Sequence, residues 1–382
     1  MSEFDLDPAV RPADDLFRHV NGRWLATAQI PDDRSSTGAF IQLRDAAEEA
    51  IRDIVTSLNG SPTGSEAAKV EQLYASFMAE EKIEALGLTP LQPLFTEIDA
   101  ISDVTRLLEY FGRSIRRGIG APLHLEVDSD PGDPSSYVLF VTQSGIGLPD
   151  EEYYRLEEHA AIREQYSRYI EHALALAETR LDAAGIFALE REVAAQHWDK
   201  VRTRDMRAMY NPMSEAELCS AGIDWSIVLR AAGVPEQGTV IVMQPSFLVE
   251  LAGLLTESRL EEWKDWARWR MVCGLSAYLP QPLAQARFDF YGTALQGTPR
   301  IRDRWKRGVE LVEGVLGEAV GKLYVERHFP PAAKQRMDDL VENLIRAYRE
   351  SISALDWMTD DTRAEALRKL SKFTPKIGYP DV

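Results

Sequence analysis

The sequence predicts a mainly α-helical protein with one small β element. Long segments carry apolar residues three and four positions apart, which is the spacing of one buried helix face. One short segment instead alternates apolar and polar residues and leads into a Pro-, Gly- and Asp-rich loop, a pattern typical of a β-hairpin. Of the 382 residues, 45% are hydrophobic and 27% charged, which is close to the globular average and argues against disorder.

Helical periodicity is clearest near the end of the chain. Apolar residues within 337–355 fall on one stripe of a long helix. Pro330 and Pro331 mark its start, because proline is tolerated in a first helical turn but not in a helix interior. A second stripe runs from 162 to 176. Ser65 is predicted to cap a helix over residues 65–84. Further helices are predicted over residues 41–58, 65–84, 102–117, 258–279 and 303–326.

The β-hairpin is predicted near residues 122–142. Apolar and polar residues alternate over 123–127, and a second β-rich run covers 137–141. The intervening Asp130-Pro131-Gly132-Asp133-Pro134 supplies the residue types that favour turns. The run Thr-Val-Ile-Val-Met at 239–243 predicts a further short strand.

Charge and cysteine content restrict the class of protein. A formal charge of −18 argues against nucleic acid or an anionic membrane as a partner. Cys219 and Cys273 could form one bridge, but two buried thiols are the expected state in a reducing compartment. Residues 1–5 do not begin a secretory signal, and no segment is long and apolar enough to span a bilayer. We therefore expect a cytoplasmic protein, with an unconventional export route left open as an alternative.

The sequence contains no local catalytic motif. Zinc hydrolysis requires two histidines four residues apart on one helix, with a glutamate beside the first. None of the six histidines is followed by glutamate, and no two are four residues apart; they are His19, His124, His159, His172, His197 and His328. We therefore predict no catalytic residue and no metal ligand in this chain. A site assembled from distant histidines stays open as the alternative.

Trp263, Trp266 and Trp269 recur at helical spacing. They could form the floor of a ligand cavity. Packing in the core of a long helix is the favoured interpretation, because aromatic side chains contribute large buried areas and need no ligand.

Short motifs also stand in a recognisable order along the whole chain. They are Asp14-Asp15-Leu16-Phe17, Asn21-Gly22-Arg23-Trp24, Ile30-Pro31, Gly38-Ala39-Phe40, Gly145-Ile146-Gly147-Leu148-Pro149-Asp150 with Tyr153-Tyr154, Tyr210-Asn211-Pro212-Met213, Trp357-Met358 and Lys376-Ile377-Gly378-Tyr379-Pro380-Asp381. In this order they resemble the neprilysin and endothelin-converting-enzyme family of zinc metallopeptidases. Each motif is weak alone, whereas their order is specific.

The resemblance implies that a catalytic part is missing from the chain. It covers essentially all 382 residues but only a little over half of a typical family member. In the family, the last motif precedes the segment that carries His-Glu-x-x-His and a later glutamate ligand. The implied fold is a large multi-helical lobe with a small β-hairpin, lacking the zinc-binding catalytic lobe. Zinc would be the cofactor of the full-length parent, and this chain would hold none.

Three segments follow from the resemblance. Residues 1–40 would pack on the missing catalytic lobe. Residues 41–355 would form the helical cap lobe, and residues 356–382 would form a helix and a connection leading toward the catalytic lobe.

The implied function is that of the N-terminal region of a zinc metalloendopeptidase that acts on oligopeptides. This region would form the wall of the substrate cavity and would not be catalytic alone. Its partners would be oligopeptides and the missing C-terminal lobe. The alternative is a stand-alone, non-catalytic helical peptide-binding protein. If the chain is a fragment, apolar side chains within 1–40 and around 367–379 should be exposed.

Two residues match substrate contacts of the family. Phe40 corresponds to an aromatic residue that lines the pocket beyond the scissile bond, and Arg44 to an arginine on the same side. The alternatives are that Phe40 is a core residue and that Arg44 is a solvated helix residue. Ser36 and Ile41 replace an arginine and an aspartate of the animal members, which puts any preference for releasing C-terminal dipeptides in doubt.

Overall fold

The computed structural model describes residues 6–236 and 238–380. The predicted absence of a secretory signal at residues 1–5 and the final Asp381 of the last motif lie outside the described residues, as does Gln237. The fold is mainly α with a small four-stranded sheet, which confirms the predicted fold class. In the described part of the chain, no helix combines the length and apolar character needed to cross a membrane.

All of the helices predicted from periodicity are present, together with shorter ones that the sequence did not predict. The helices are α1 (Leu16–Thr27), α2 (Ala39–Ser57), α3 (Glu66–Met78), α4 (Glu80–Leu86), α5 (Gln92–Asp99), α6 (Val104–Arg116), α7 (Glu152–Arg155), α8 (Ala160–Leu176), α9 (Ala183–Ala195), α10 (Glu215–Ser220), α11 (Ser226–Ala232), α12 (Pro245–Leu254), α13 (Leu260–Leu275), α14 (Gln281–Phe288), α15 (Arg304–His328), α16 (Pro331–Ala354) and α17 (Asp360–Ser371).

The single helix predicted over 65–84 is two helices, α3 and α4. The hydroxyl of Ser65 accepts a hydrogen bond from the backbone N–H of Ala68 at 3.1 Å, so the predicted cap is confirmed. The chain leaves helical geometry at Ala79. Near this end, the carbonyl oxygen of Phe77 accepts hydrogen bonds from Nε and Nη2 of Arg304, at 2.9 and 2.6 Å. A side chain from a distant segment thus satisfies a helix-end carbonyl, which sequence periodicity does not show.

The sheet contains the predicted hairpin. Strands β1 (Leu123–Ser129) and β2 (Tyr137–Gln143) pair antiparallel. A short strand, β3 (Pro212–Ser214), pairs antiparallel with β4 (Thr239–Val242), which in turn pairs parallel with β2, so the strand order is β1-β2-β4-β3. Strand β4 confirms the prediction at 239–243. Strand β3 was not predicted, because three residues that include a proline carry no alternation signal.

The chain divides into two compact units. Unit 1 consists of the described residues of 1–29, 36–79 and 302–382, and unit 2 of those of 30–35 and 80–301. The core of unit 1 is formed by α2, α3 and α15, and includes Ile51, Val70 and Val309. The core of unit 2 is larger and includes residues of α6, α8, α9, α13 and the sheet. The predicted division at residues 40 and 355 stays a prediction.

The three tryptophans of α13 belong to the core of unit 2. Trp263, Trp266 and Trp269 are all 0% exposed. The ring of Phe111 packs edge-on against Trp263 and Trp266, with centroid distances of 5.7 and 6.0 Å. The core interpretation is therefore confirmed, because no face of these rings is left to form the floor of a ligand cavity.

The two cysteines are both free thiols. Cys273 is buried on α13, but Cys219 is exposed on the short helix α10. The prediction of two buried thiols is therefore wrong for Cys219. On α10 the buried side chain is that of Leu218, and Cys219, the next residue in the sequence, faces solvent.

Candidate functional site

Phe40 and Arg44 lie one turn apart on α2 in unit 1. Phe40 is 87% exposed and Arg44 is also exposed. Because residues four positions apart share a helix face, the two side chains lie on the same side of α2. The alternative that Phe40 is a core residue is wrong, since the described residues of this chain leave its side chain almost fully exposed. The contact of Phe40 and Arg44 with substrate stays a prediction.

The histidines do not assemble a metal site in the described part of the chain. Across residues 6–236 and 238–380, no three His, Cys, Asp or Glu side chains are grouped in a way that could hold a metal ion. Three histidines instead contact single groups of the protein. Nε2 of His197 lies 3.0 Å from the carbonyl oxygen of Ser144, and Nδ1 of His19 lies 2.7 Å from the carbonyl oxygen of Val10. The ring of His159 stacks on that of Tyr153.

The motif at 145–150 is held by the tyrosine that follows it in sequence. The hydroxyl of Tyr154 accepts hydrogen bonds from the backbone N–H groups of Gly147 and Leu148, at 2.9 and 3.0 Å. It donates its own proton to Oε2 of Glu190, at 2.9 Å. The two halves of the motif, Gly145–Asp150 and Tyr153-Tyr154, therefore form one hydrogen-bonded unit.

Glu190 is the centre of this network. It lies fully buried on α9 and accepts a second hydrogen bond from the hydroxyl of Tyr166, at 2.9 Å. Nη1 of Arg270 lies 3.8 Å from Oε1 of Glu190 and donates to the carbonyl oxygen of Ile146, at 3.3 Å. Burial raises the pKa of Glu190, although Arg270 and the two tyrosine hydroxyls oppose this. The network thus keeps one ionisable carboxyl inside the core of unit 2.

A π-helical turn completes the contacts of the motif. Residues 289–294 form this turn, and the hydroxyl of Tyr291 donates to the carbonyl oxygen of Gly147, at 3.0 Å. The adjacent Phe290 is buried and stacks on Tyr169, with 5.4 Å between ring centroids. Such turns are frequent at functional sites. Here both backbone polar groups of Gly147 are satisfied by tyrosine side chains.

Glu190, Arg270 and Tyr291 were not predicted from the sequence. Glu190 lies in a run of charged residues, which is usually a solvated helix face. A signal was present, however, because Glu190 lies four residues after Ile186 and three before Val193, on the apolar stripe of α9. A carboxyl on an apolar stripe indicates a buried polar network.

Unit 1 exposes many large apolar side chains. Helices α1, α16 and α17 bury no residue. The exposed apolar residues of unit 1 include Leu16, Phe17 and Leu25 on α1, Leu340, Leu344 and Tyr348 on α16, and Trp357 and Phe373 near α17. The exposure on α1 and at Phe373 agrees with the expectation for a fragment within 1–40 and around 367–379. Leu367, Leu370 and Tyr379 are half-buried, however, and the exposure of α16 was not predicted.

Unit 2 contains a cavity of about 730 Å³ beside the motif. Tyr154, Phe187 and Trp198 contribute aromatic side chains to its wall. Charged residues of α7, α8 and α9 also line it. Tyr154 therefore bonds to the backbone of the motif and also lines this cavity.

Known proteins resemble the chain over nearly its full length. Residues 12–380 match the N-terminal profile of peptidase family M13. The chain is 25% identical over 392 residues to neutral endopeptidase of Lactobacillus helveticus, covering 100% of this chain and 60% of that protein. It is 24% identical over 417 residues to human neprilysin, covering 99% of this chain and 55% of that protein.

Solved structures give the same result. The zinc metalloprotease Zmp1 of Mycobacterium tuberculosis, in complex with an inhibitor, is 44% identical with a TM-score of 0.92, covering 99% of this chain and 59% of that chain. PepO of Lactobacillus rhamnosis HN001 has a TM-score of 0.88 at 22% identity, a likeness that concerns the fold alone. The chain thus spans a little over half the length of its relatives. The resemblance to the neprilysin family is confirmed, and the chain belongs to peptidase family M13, in the N-terminal region of its members.

Proposed function

We propose that this chain is the helical N-terminal part of a zinc metalloendopeptidase that acts on oligopeptides. In this proposal the chain forms a wall of the substrate cavity and is not catalytic alone. The observation that carries it is the match to Zmp1, which takes in 99% of this chain but only 59% of that protease. The remaining part of such a protein would supply the catalytic lobe.

Zinc belongs to that remaining part in our proposal. When bound there, it would activate water for attack on a peptide bond. The described residues of this chain contain no group of ligands that fits zinc, so we derive no step of the reaction from them.

The exposed apolar residues of unit 1 support a docking role. Monomeric soluble proteins rarely expose large apolar areas without an interaction to cover them. Helix α16 spans 24 residues and buries none of them, although Leu340, Leu344 and Tyr348 share one face. We propose that the C-terminal lobe covers these residues, together with those of α1 and the residues near α17.

Phe40 and Arg44 are the proposed substrate contacts of this chain. Their shared position on one exposed side of α2 allows both to reach the same peptide. An exposed aromatic ring offers apolar contact area, and a guanidinium can donate to peptide carbonyls or carboxylates.

The test compares this chain with the full product of its gene. Zinc content is measured by elemental analysis, and activity by cleavage of an unstructured fluorogenic peptide with and without a chelator. We expect one zinc and chelator-sensitive cleavage for the full product, and neither for this chain alone. A tightly held zinc or chelator-sensitive cleavage in this chain alone would contradict the proposal.

A second arm tests docking directly. The C-terminal region is added to this chain in trans, and the fluorescence of a dye that binds exposed apolar surface is followed. We expect the dye signal to fall and peptide cleavage to appear. Tight binding of peptides by this chain with no effect of the C-terminal region would instead favour the stand-alone peptide-binding protein.

A further inference from the structure

The cavity beside the motif in unit 2 has the size of a small-molecule site. Its volume of about 730 Å³ lies within the range of roughly 300–1,000 Å³ that is typical of ligand pockets. Tyr154 and Trp198 are buried, and Phe187 is half-buried. These rings form an apolar wall that could contact an organic group.

Four arginines also line this cavity. They are Arg155, Arg163, Arg191 and Arg202, against two carboxylates, Glu151 and Asp199. The formal charge of these groups is four minus two, which is +2. Burial lowers the pKa of the lining His197, so its imidazole adds no charge at pH 7. The positive formal charge of the cavity contrasts with the formal net charge of the whole chain, which is −18.

Two of the four arginines already donate hydrogen bonds to other groups of the protein. Nε and Nη2 of Arg155 donate to both carboxylate oxygens of Glu151, at 2.5 and 3.0 Å. Nη1 of Arg163 donates to the carbonyl oxygens of Tyr153 and Leu156, at 3.0 and 2.5 Å. These two guanidinium groups therefore shape the cavity and are less available to a ligand.

The other two arginines keep their donors for a ligand. Within residues 6–236 and 238–380, no hydrogen bond or ion pair engages the guanidinium of Arg191 or that of Arg202. The guanidinium carbon of Arg202 lies 3.3 Å from the centre of the Trp198 ring, and this cation–π contact holds the group at the cavity wall. Oδ1 of Asp199 is engaged elsewhere, because it accepts hydrogen bonds from the backbone N–H groups of Val201 and Arg202, at 2.8 and 2.9 Å.

We propose that this cavity binds a small molecule that carries a phosphate dianion, held by the guanidinium groups of Arg191 and Arg202. Two negative charges match the formal +2 of the lining groups. A guanidinium presents parallel N–H donors that fit two oxygens of a carboxylate or of a phosphate. A phosphate monoester has three terminal oxygens and two charges, so it can accept from both guanidinium groups, whereas one carboxylate has two oxygens and one charge. The volume exceeds what a free phosphate ion needs, so an organic group is expected against Phe187. The site is independent of the proposed peptidase function.

The experiment measures binding to this chain by isothermal titration calorimetry. The probes are inorganic phosphate, adenosine monophosphate as a phosphate monoester, and succinate as a dicarboxylate, with ionic strength held constant by potassium chloride. The variants are Arg191→Gln and Arg202→Gln, which keep a polar side chain but remove its charge. Arg180→Gln is the matched control, because Arg180 is an exposed arginine of unit 2 that does not line the cavity. Melting temperatures without ligand check that each variant is folded.

We expect the monoester to bind more tightly than inorganic phosphate, and succinate to bind weakly. Each cavity variant should weaken binding by about tenfold, the effect of losing one charged hydrogen-bonding group, whereas Arg180→Gln should not. Binding of inorganic phosphate but not of the monoester would retain the site and identify free phosphate as its ligand. The absence of binding by both phosphates, equal affinity in cavity and control variants, or equal affinity for succinate would overturn the proposal.

Discussion

The hydroxyl oxygen of Tyr166 occupies the space that a side chain on residue 147 would need. A Cβ atom on Gly147 would lie 1.8 Å from this oxygen and 3.2 Å from Oε2 of Glu190. The backbone of Gly147 is not in a left-handed conformation, so glycine is required here for space. The third residue of the motif is thus determined by a tyrosine that lies 19 positions later in the sequence.

Gly147→Ala should therefore destabilise the protein. We expect the free energy of unfolding to fall by about 1–3 kcal/mol, because the added methyl group forces Tyr166 or the motif backbone to move. Urea denaturation measures this. Gly253→Ala is the matched control, since a Cβ there meets no atom within 4 Å and the residue lies in α12. It should raise stability by about 0.5–1 kcal/mol. Equal stability of the two variants would contradict the packing described.

Glu190 should give the stability of the protein a specific pH dependence. Burial raises its folded-state pKa above the ordinary value of about 4.3. Between these two pKa values the folded state binds more protons than the unfolded state, so the free energy of unfolding falls as pH rises. The contribution of Glu190 is fully present below about pH 4.3. It is lost as pH rises through the raised folded-state pKa.

Glu190→Gln removes this titration. The free energy of unfolding of the unsubstituted chain minus that of the variant should therefore decrease from about pH 4 upward. Urea denaturation over a series of pH values gives the difference. The control is Glu192→Gln on the same helix, an exposed residue that pairs with Arg259. A difference curve for Glu190→Gln that does not change with pH would show that the carboxyl does not titrate in this window.

The buried ion pair of unit 1 should be important for stability. Nη2 of Arg302 lies 2.5 and 2.6 Å from the two carboxylate oxygens of Glu48, which is 5% exposed. Glu48→Ala should lower the free energy of unfolding by about 3 kcal/mol, because a largely buried guanidinium loses its closest carboxylate. The neighbouring Glu49 is exposed, and Glu49→Ala should change stability by no more than about 0.5 kcal/mol. Similar effects of both substitutions would contradict this assignment.

Phe40 should affect substrate binding in the full protein. Phe40→Ala should raise KM roughly tenfold with little change in kcat, because apolar contact with the peptide contributes equally to the ground and transition states. Steady-state cleavage of a fluorogenic peptide measures both constants. Tyr137→Ala is the control, since Tyr137 is a 78% exposed aromatic residue in unit 2. An unchanged KM for Phe40→Ala would remove Phe40 from the substrate site.

The sequence by itself determined the fold class, the β-hairpin, the starts of α3 and α16, and the family. These features depend on signals that are local in the chain. A helix period, a cap at Ser65 or a proline pair at 330–331 acts on residues only a few positions away. The ordered motifs that indicated peptidase family M13 are also short segments, each readable without knowledge of its neighbours in space.

Only the tertiary structure decided which of these features are buried. Both α13 and α16 carry apolar residues at helical spacing, yet the tryptophans of α13 are enclosed and Leu340 and Leu344 of α16 are exposed. Glu190 meets Arg270 across 80 positions, and Tyr291 donates to Gly147 across 144 positions. The charged residues beside Glu190 in the sequence are nevertheless typical of a surface helix. Periodicity shows which face of a helix is apolar or charged. Whether another element covers that face depends on non-local packing, which is why the buried network and the arginine-lined cavity became visible only in three dimensions.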